Sequence, residues 1–254
     1  MRTQSEKAHA FRALHQRDRA FLIPNPWDVG TARILAQLGF EALATTSMGL
    51  AFAVGQLDNT VGRERVMEHL SSLSSATDLP ISADLENGFG DAPGQAAETI
   101  RLAAAAGAVG GSIEDATCRA NDPIYPREFA TERIRAAVEA ARAVPFPFTV
   151  TARAENYLHG RPDLKDTIAR LQSYQDAGAD VLYAPCLATR EDIATVVRSV
   201  DRPVNVVMGL RGVQLSLAEL SALGVKRVSV GSTLARTARL RGQHWVHFCE
   251  PPGK

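Results

Sequence analysis

The sequence predicts an α/β fold, a TIM-like (β/α)8 barrel of parallel strands in one domain over residues 1–254. Three observations carry this. The chain has 254 residues, close to the ~250 typical of such a barrel. Short apolar runs alternate with longer amphipathic ones eight times, the order expected of successive βα units. The short runs are almost continuously apolar, as strands covered on both faces are. An open doubly wound sheet shares this order, so element order alone does not decide closure.

The elements follow in order. A polar amphipathic helix is expected over 5–19. Eight strand–helix pairs come next: 21–25 (FLIPN) with 28–38, 42–47 (ALATTS) with 63–75, 80–85 (PISADL) with 93–106, and 110–115 (GGSIED) with 131–143. The second half continues with 148–154 (FTVTARA) and 163–177, 181–186 (VLYAPC) and 190–199, 204–208 (VNVVM) and 216–222, and 227–231 (RVSVG) and 232–241. Asp28, Thr131 and Ser216 stand where N-caps are needed. Glycines follow Leu38, Ala106, Ala177 and Leu223, marking helix ends that close in the left-handed conformation. The polar, proline-bearing stretch 116–127 (ATCRANDPIYPR) reads as a lid over the barrel mouth, and 243–254 as an irregular tail.

Composition narrows the function. Lys and Arg total 28 against 28 Asp and Glu, with no basic stripe, so no nucleic-acid partner is expected. No run approaches the ~20 apolar residues of a membrane span, and the first twenty residues lack the apolar stretch of a secretory signal. Three cysteines without a CxxC pair point to a reducing, cytoplasmic setting. There is no G-x-S-x-G elbow, P-loop or G-x-G-x-x-G.

The informative residues end the third, fourth and fifth strands. A parallel barrel gathers strand C-termini around one pocket, so Asp84, Glu86, Glu114, Arg153 and Glu155 are expected to converge. Asp84 and Glu86 flank Leu85 and point the same way if the strand continues through them. Oxygen ligands without His or Cys suit Mg2+, with Mn2+ as the alternative, rather than zinc or copper; surface acids or helix caps are the bland alternative. Arg153, inside an apolar strand, needs a charged partner. Its fork suits a substrate carboxylate, while an ion pair with Glu155 or Asp115 would satisfy it equally. Thr45, Thr46, Ser47, Met48 and Gly49 offer hydroxyls and backbone N–H groups to a carboxylate or oxyanion, or form a plain turn. Asp58 holds metal-bound water or caps a turn, and Asn205 opens the seventh strand facing the mouth. Asn87–Gly90 is a flexible turn. Cys118 is an acid or nucleophile or, with no histidine nearby in sequence to activate it, a bystander, the reading favoured. His159 reaches the rim, and His9, His15, His69, His244 and His247 look peripheral.

The segments PNPWDVGTARIL, ATTSMGLAFAVGQLD, ISADLENGFG, GGSIED, TARAENYL, AGADVLYAPCL and GVKRVSVGSTLAR run in order along nearly the whole chain. Together they resemble the isocitrate lyase/phosphoenolpyruvate mutase superfamily, in particular its smaller 2-methylisocitrate lyase-like or carboxyvinyl-carboxyphosphonate mutase-like branch. The resemblance implies a TIM-like barrel, Mg2+ and an α-keto or enolpyruvate-type substrate. It implies Asp84 as principal metal ligand with Glu86 and Glu114 in the metal shell, and Asp58 as the loop aspartate near the metal. Ser47, Met48 and Gly49 become the substrate-carboxylate cradle, Met48 standing where some members have glycine. Arg153 becomes the substrate-binding arginine, with Glu155 beside it. The family's Lys-(Lys/Arg)-Cys-Gly-His lid motif is absent, so its acid/base role is not carried to Cys118. The long terminal helix that members exchange between subunits is not evident after about Gly242.

The expected function is a Mg2+-dependent lyase acting on a small α-oxy or keto carboxylic acid through a pyruvate enolate. Arg153, Asp58 and Glu155 are expected to be catalytic, and Ser47, Met48, Gly49, Arg153 and Asn205 to bind substrate. Oxaloacetate decarboxylase, phosphonopyruvate hydrolase or phosphoenolpyruvate mutase-like activity is the alternative, and a catalytically idle acid-binding barrel is the alternative of another class. A homo-oligomer, dimer or tetramer, is expected.

Overall fold

A computed structural model describes residues 2–209 and 214–239. Eight parallel strands form one sheet in the order β1-β8-β7-β6-β5-β4-β3-β2. They are β1 Phe21–Ile23, β2 Leu43–Ala44, β3 Ile81–Asp84, β4 Gly110–Glu114, β5 Thr149–Arg153, β6 Val181–Tyr183, β7 Val204–Val207 and β8 Arg227–Ser229. The helices are α1 Gln4–His15, α2 Val29–Gln37, α3 Ser47–Ala53, α4 Arg63–Ala76, α5 Pro93–Ala105, α6 Arg127–Arg142, α7 Leu164–Asp176, α8 Arg190–Arg198 and α9 Leu217–Ala222; residues 233–239 are also helical.

The seam between β1 and β2 decides closure. These strands are not paired as a ladder, but the Ala44 N–H donates to the Pro24 carbonyl at 3.1 Å. Asn25 completes the join. Its amide nitrogen donates to the Thr45 carbonyl at 2.9 Å, and its oxygen accepts from the Val230 and Gly231 N–H groups at 3.0 and 2.9 Å. One buried amide thus fastens the ends of β8, β1 and β2, and the sheet is a nearly closed barrel.

The helix side of the strands is apolar. Ile81, Ile113, Val150, Ala152, Val204, Val206 and Val228 pack into the main core beneath the helices. Residues offset by one, including Ser82, Asp84, Ser112, Arg153, Asn205, Arg227 and Ser229, line an interior cavity, as the two-residue period of a strand requires. Barrel interiors are commonly filled by bulky branched side chains; here small polar groups leave one hollow.

Helix α1 closes the other end. Ala8, Phe11 and Leu14 pack on Phe21, Ile23, Ala42 and Val109. The rings of Phe11, His15 and Phe21 meet edge to face, with centroids 4.8, 6.4 and 5.0 Å apart. His15 is therefore not peripheral, because the edge-packed rings carry it into the barrel floor. Its Nδ1 donates to the Phe11 carbonyl at 2.9 Å, leaving Nε2 as the acceptor that faces Arg227 Nη1 at 3.5 Å. Burial, reinforced by the Arg227 charge, pushes the imidazole down to about 3. The unfolded chain binds a proton below about pH 6.5 that the folded chain refuses until about pH 3. Stability is therefore expected to fall as pH drops through that window, by up to about 1.4 kcal/mol per pH unit from this residue. His15→Gln should remove that share; identical slopes for both proteins in urea unfolding would refute it.

Several local expectations are met. Asp28 and Ser216 cap α2 and α9, each in a capping box, with Thr31 and Glu219 respectively. Gly39, Gly107, Gly178 and Gly224 all end helices with φ between 87° and 100°. Others are corrected. The opening helix is Gln4–His15 rather than 5–19. The fourth-unit helix starts at Arg127, after Pro126, rather than at 131. Thr131 accordingly lies inside α6, its hydroxyl donating to the Arg127 carbonyl at 2.7 Å, and is no cap. Ser47 opens a helix instead of ending a strand. The expected tail over 243–254 lies outside the described residues.

Candidate active site

The cavity inside the C-terminal half of the barrel has a volume of about 210 Å³ and is lined by Asp84, Arg153, Ser47 and Asp58 among others. Arg153, the last residue of β5, organises its acidic wall. Its Nη1 lies 3.0 Å from Asp84 Oδ1 and 3.1 Å from Glu114 Oε2, and its Nη2 lies 2.8 Å from Glu155 Oε1. Glu155 also accepts from Arg153 Nε at 2.9 Å. Four residues from three neighbouring strand ends therefore meet at one guanidinium, and Tyr183 of β6 places its ring 5.1 Å from it. Burial opposes the Arg153 charge, but Glu155, Glu114 and Asp84 outweigh it and hold its pKa well above the ordinary value.

The acids outnumber the base. Burial raises Glu114 well above the carboxylate range, and nearby Glu155, Asp84 and Glu86 add to the effect. Burial likewise raises Glu155. Glu86 is pushed up to about 8 by burial first, then by the charges of Asp84 and Asp58. Asp58 is raised by burial, with Asp84 adding and a hydrogen bond from Ser47 opposing. Three carboxyl groups thus pair with one arginine, and two more lie within reach of its charge.

Asp84 and Glu86 do not share a strand face. β3 ends at Asp84, and Glu86 turns into the left-handed region at φ 50°, so the alternation that would align them stops one residue short. Glu86 stays close enough to feel Asp84, but its Oε1 is buried without a hydrogen-bond donor. A non-glycine residue at positive φ with an orphaned carboxyl oxygen is the kind of strain found at functional sites.

The segment after β2 forms the opposite wall. Thr46 caps α3, its hydroxyl accepting from the Gly49 N–H at 3.3 Å. The Ser47 N–H donates to Asp84 Oδ2 at 3.0 Å, and the Asp84 N–H donates to Thr45 Oγ1 at 2.7 Å. Thr45, Thr46, Ser47 and Met48 line the cavity, whereas Gly49 does not. Its amide serves the cap, and its missing side chain serves packing. A Cβ there would lie 2.5 Å from Thr46 Cγ2 and 3.0 Å from Trp27 Cβ. Gly49→Ala is expected to cost about 1–3 kcal/mol through overpacking; an unchanged urea midpoint would refute this.

Two buried arginines brace the loops. Arg133 of α6 reaches the carbonyls of Asp91 (2.8 Å), Glu114 (3.3 Å), Gly90 (2.8 Å) and Asn87, and stacks 4.4 Å from the Tyr125 ring centre. Residues 87–90 are therefore held, not the flexible turn expected from their glycines. Arg170 of α7 pairs with Asp115 at 3.0 Å. Asp115 also accepts from Tyr174 Oη (2.6 Å) and from the Glu155 N–H (2.8 Å). Of the two partners weighed for Arg153, the structure selects Glu155 and gives Asp115 to Arg170.

The segment between β4 and α6 folds back on itself through an Ala116–Ile124 bridge. Arg119 ties it to Asp91 at 2.8 Å. Cys118, at φ 60°, is pushed up to about 11 by burial and by Glu114, Glu86 and Asp58. The thiol is thus within reach of the acid cluster's field, which its sequence position did not suggest. His159 is exposed. Asn205 lies deep in the barrel rather than at its mouth, donating to Ser229 Oγ at 3.1 Å and accepting from Arg227 Nε at 2.9 Å. Sequence reasoning missed Arg133, Arg170, Asn25 and Arg227, because whether a helix or strand arginine is buried depends on neighbours far along the chain.

A hard divalent cation fits these residues. Among the described residues no three His, Cys, Asp or Glu side chains form a closed metal cage, but Mg2+ needs only one or two carboxylates, with water completing the shell. Asp84 presents such a carboxylate on the cavity wall. The orphaned Glu86 oxygen and the surplus of acid over base supply the negative field that a cation would neutralise.

A family model described as phosphoenolpyruvate phosphomutase matches residues 11–246. A crystal structure of a candidate lyase/mutase from Burkholderia cenocepacia J2315 superimposes with a TM-score of 0.96 at 64% identity, covering 99% of this chain and 90% of that one. A 2-methylisocitrate lyase of Salmonella typhimurium is 30% identical over 182 residues, 68% of this chain and 60% of the relative. A structure of phosphonopyruvate hydrolase complexed with oxalate and Mg2+ aligns with a TM-score of 0.85 at 25% identity, over 94% of this chain and 84% of that one.

Proposed function

The chain belongs to the phosphoenolpyruvate phosphomutase family, and from that premise we propose that it is a Mg2+-dependent lyase acting on a small α-oxy or keto carboxylic acid through a pyruvate enolate. One observation carries the reading: three carboxylates, Asp84, Glu114 and Glu155, meet at the Arg153 guanidinium beside a small cavity, with Glu86 and Asp58 close enough to feel its charge. Asp84 would hold the cation, with Glu86 and Glu114 acting on its water shell. When bound, the ion supplies a positive charge against the enolate oxygen as it develops.

The chain's own residues do the rest. Arg153 orients the substrate's acid group, and Glu155 fixes the guanidinium through Nε and Nη2 so that Nη1 stays directed at the cavity side. Ser47 and Met48 form the wall against the substrate, and Asp58 lines the cavity with them. The 116–126 segment is the proposed lid, and its Cys118 lies within reach of the acids' charge. Manganese is the natural substitute for magnesium in an all-oxygen site.

Calorimetric titration with Mg2+ and oxalate, a planar enolate mimic, tests the reading. Oxalate is expected to bind only with the metal present; no metal-dependent binding would sink it and leave an idle acid-binding barrel. The phosphonopyruvate hydrolase resemblance favours P–C bond hydrolysis as the second reading. A screen of alkylmalates, oxaloacetate and phosphonopyruvate for pyruvate release separates the two.

A further inference from the structure

We propose that the floor of the cavity is a second subsite for a small oxyanion, held by Arg227 with the hydroxyls of Ser82 and Ser112. Arg227 is only 5% exposed yet lines the same cavity as Asp84 and Arg153. Among the described residues no carboxylate forms an ion pair with it, and its hydrogen-bond partners are neutral. Nε donates to Asn205 Oδ1 at 2.9 Å, Nη2 to Thr151 Oγ1 at 3.0 Å, and Nη1 faces His15 Nε2 at 3.5 Å. A guanidinium has five N–H donors and does not deprotonate in proteins, so two donors and one full charge remain uncompensated. A buried charge without a counter-ion is costly, and the cavity that Arg227 lines is where an anion could meet it.

The surroundings suit that anion. Ser82 and Ser112 line the cavity, and neither hydroxyl has a protein partner among the described residues. Ser82 lies two residues before Asp84 on β3, about 6.6 Å down the strand. The acidic wall is thus at the mouth and the cationic group on the floor, and a ligand between them is read by opposite charges at its two ends. The neutral His15 keeps a second cation away from the floor while lending Arg227 an acceptor. The oxyanion has two sources: the far acid group of the substrate, a reading that rests on the proposed function, or a free ion of phosphate or bicarbonate size.

Two calorimetric arms distinguish them in wild type, Arg227→Gln and the Ser82→Ala/Ser112→Ala double variant. In the first arm, metal-free protein is titrated with phosphate. In the second, protein with Mg2+ is titrated with succinate, with butyrate as the one-acid control and oxalate as the short control. We expect at least a tenfold loss in the variants in one arm. Loss of phosphate affinity assigns a free ion; loss of the preference for succinate over butyrate, with oxalate unchanged, assigns the substrate's second acid group. Arg227→Lys should restore part of the loss. If Arg227→Gln does not fold, the serine variant decides alone. Affinities for phosphate and succinate that match wild type in the folded variants overturn the proposal. Absence of metal-dependent oxalate binding instead counts against the proposed function and leaves the phosphate arm intact.

Discussion

Asp84→Ala is expected to lower turnover of the substrate identified by pyruvate release at least about 10³-fold, equivalent to about 4 kcal/mol of transition-state stabilisation. The same variant should lose metal-dependent oxalate binding. Asp84 is the acid that both lines the cavity and pairs with Arg153, and its second oxygen accepts the Ser47 N–H at the start of α3. Removing it takes away the proposed ligand and leaves Arg153 to two carboxylates. Stability of the metal-free protein should change little, because deleting one carboxyl from a group of five relieves repulsion while two hydrogen bonds are lost. Asp84→Asn, which retains the hydrogen-bonding shape without the charge, should lose activity nearly as far. Full turnover by either variant would remove Asp84 from the mechanism.

The largest effect on stability is expected at Arg133, which does not line the cavity. Arg133→Met keeps much of the apolar stem but leaves the carbonyls of Asn87, Gly90, Asp91 and Glu114 without their donor. Each buried, unsatisfied carbonyl costs about 1–3 kcal/mol. Partial re-solvation at the loop brings the expected total to about 3–5 kcal/mol, read as a lowered urea midpoint. Because Arg133 bonds the loop after β3 and the end of β4 together, the loosened loop should also weaken oxalate binding in the presence of Mg2+. A midpoint within about 0.5 kcal/mol of wild type would show that water replaces the guanidinium freely.

The acid cluster was legible because its logic is local. Asp84, Glu114 and Arg153 each end an apolar run, and strand ends meet at one rim in a parallel barrel. Three hydrogen bonds or ion pairs at Arg153 follow from that placement. Glu86 was misread in orientation, since a strand period was extended one residue past the strand's end. Helix α3 was taken for a strand end because TTSMG carries both a cap signal and a β-branched pair, and the cap won. Residues 87–90 looked flexible from their glycines until Arg133, more than forty positions away, supplied the missing donors.

The amino-acid order by itself determined the number and order of βα units, the helix stops at four glycines, the capping residues Asp28 and Ser216, and the convergence of acids at one end. Those features depend on backbone preferences and on a two-residue period, which act within a few positions. The tertiary structure alone decided that Asn25 fastens the seam, that Asp115 serves Arg170 rather than Arg153, that His15 is neutral in the barrel floor, and that Arg227 sits there without a carboxylate. Each depends on burial and charge contributed by residues distant in the chain, and electrostatic cost is set by what surrounds a group in space.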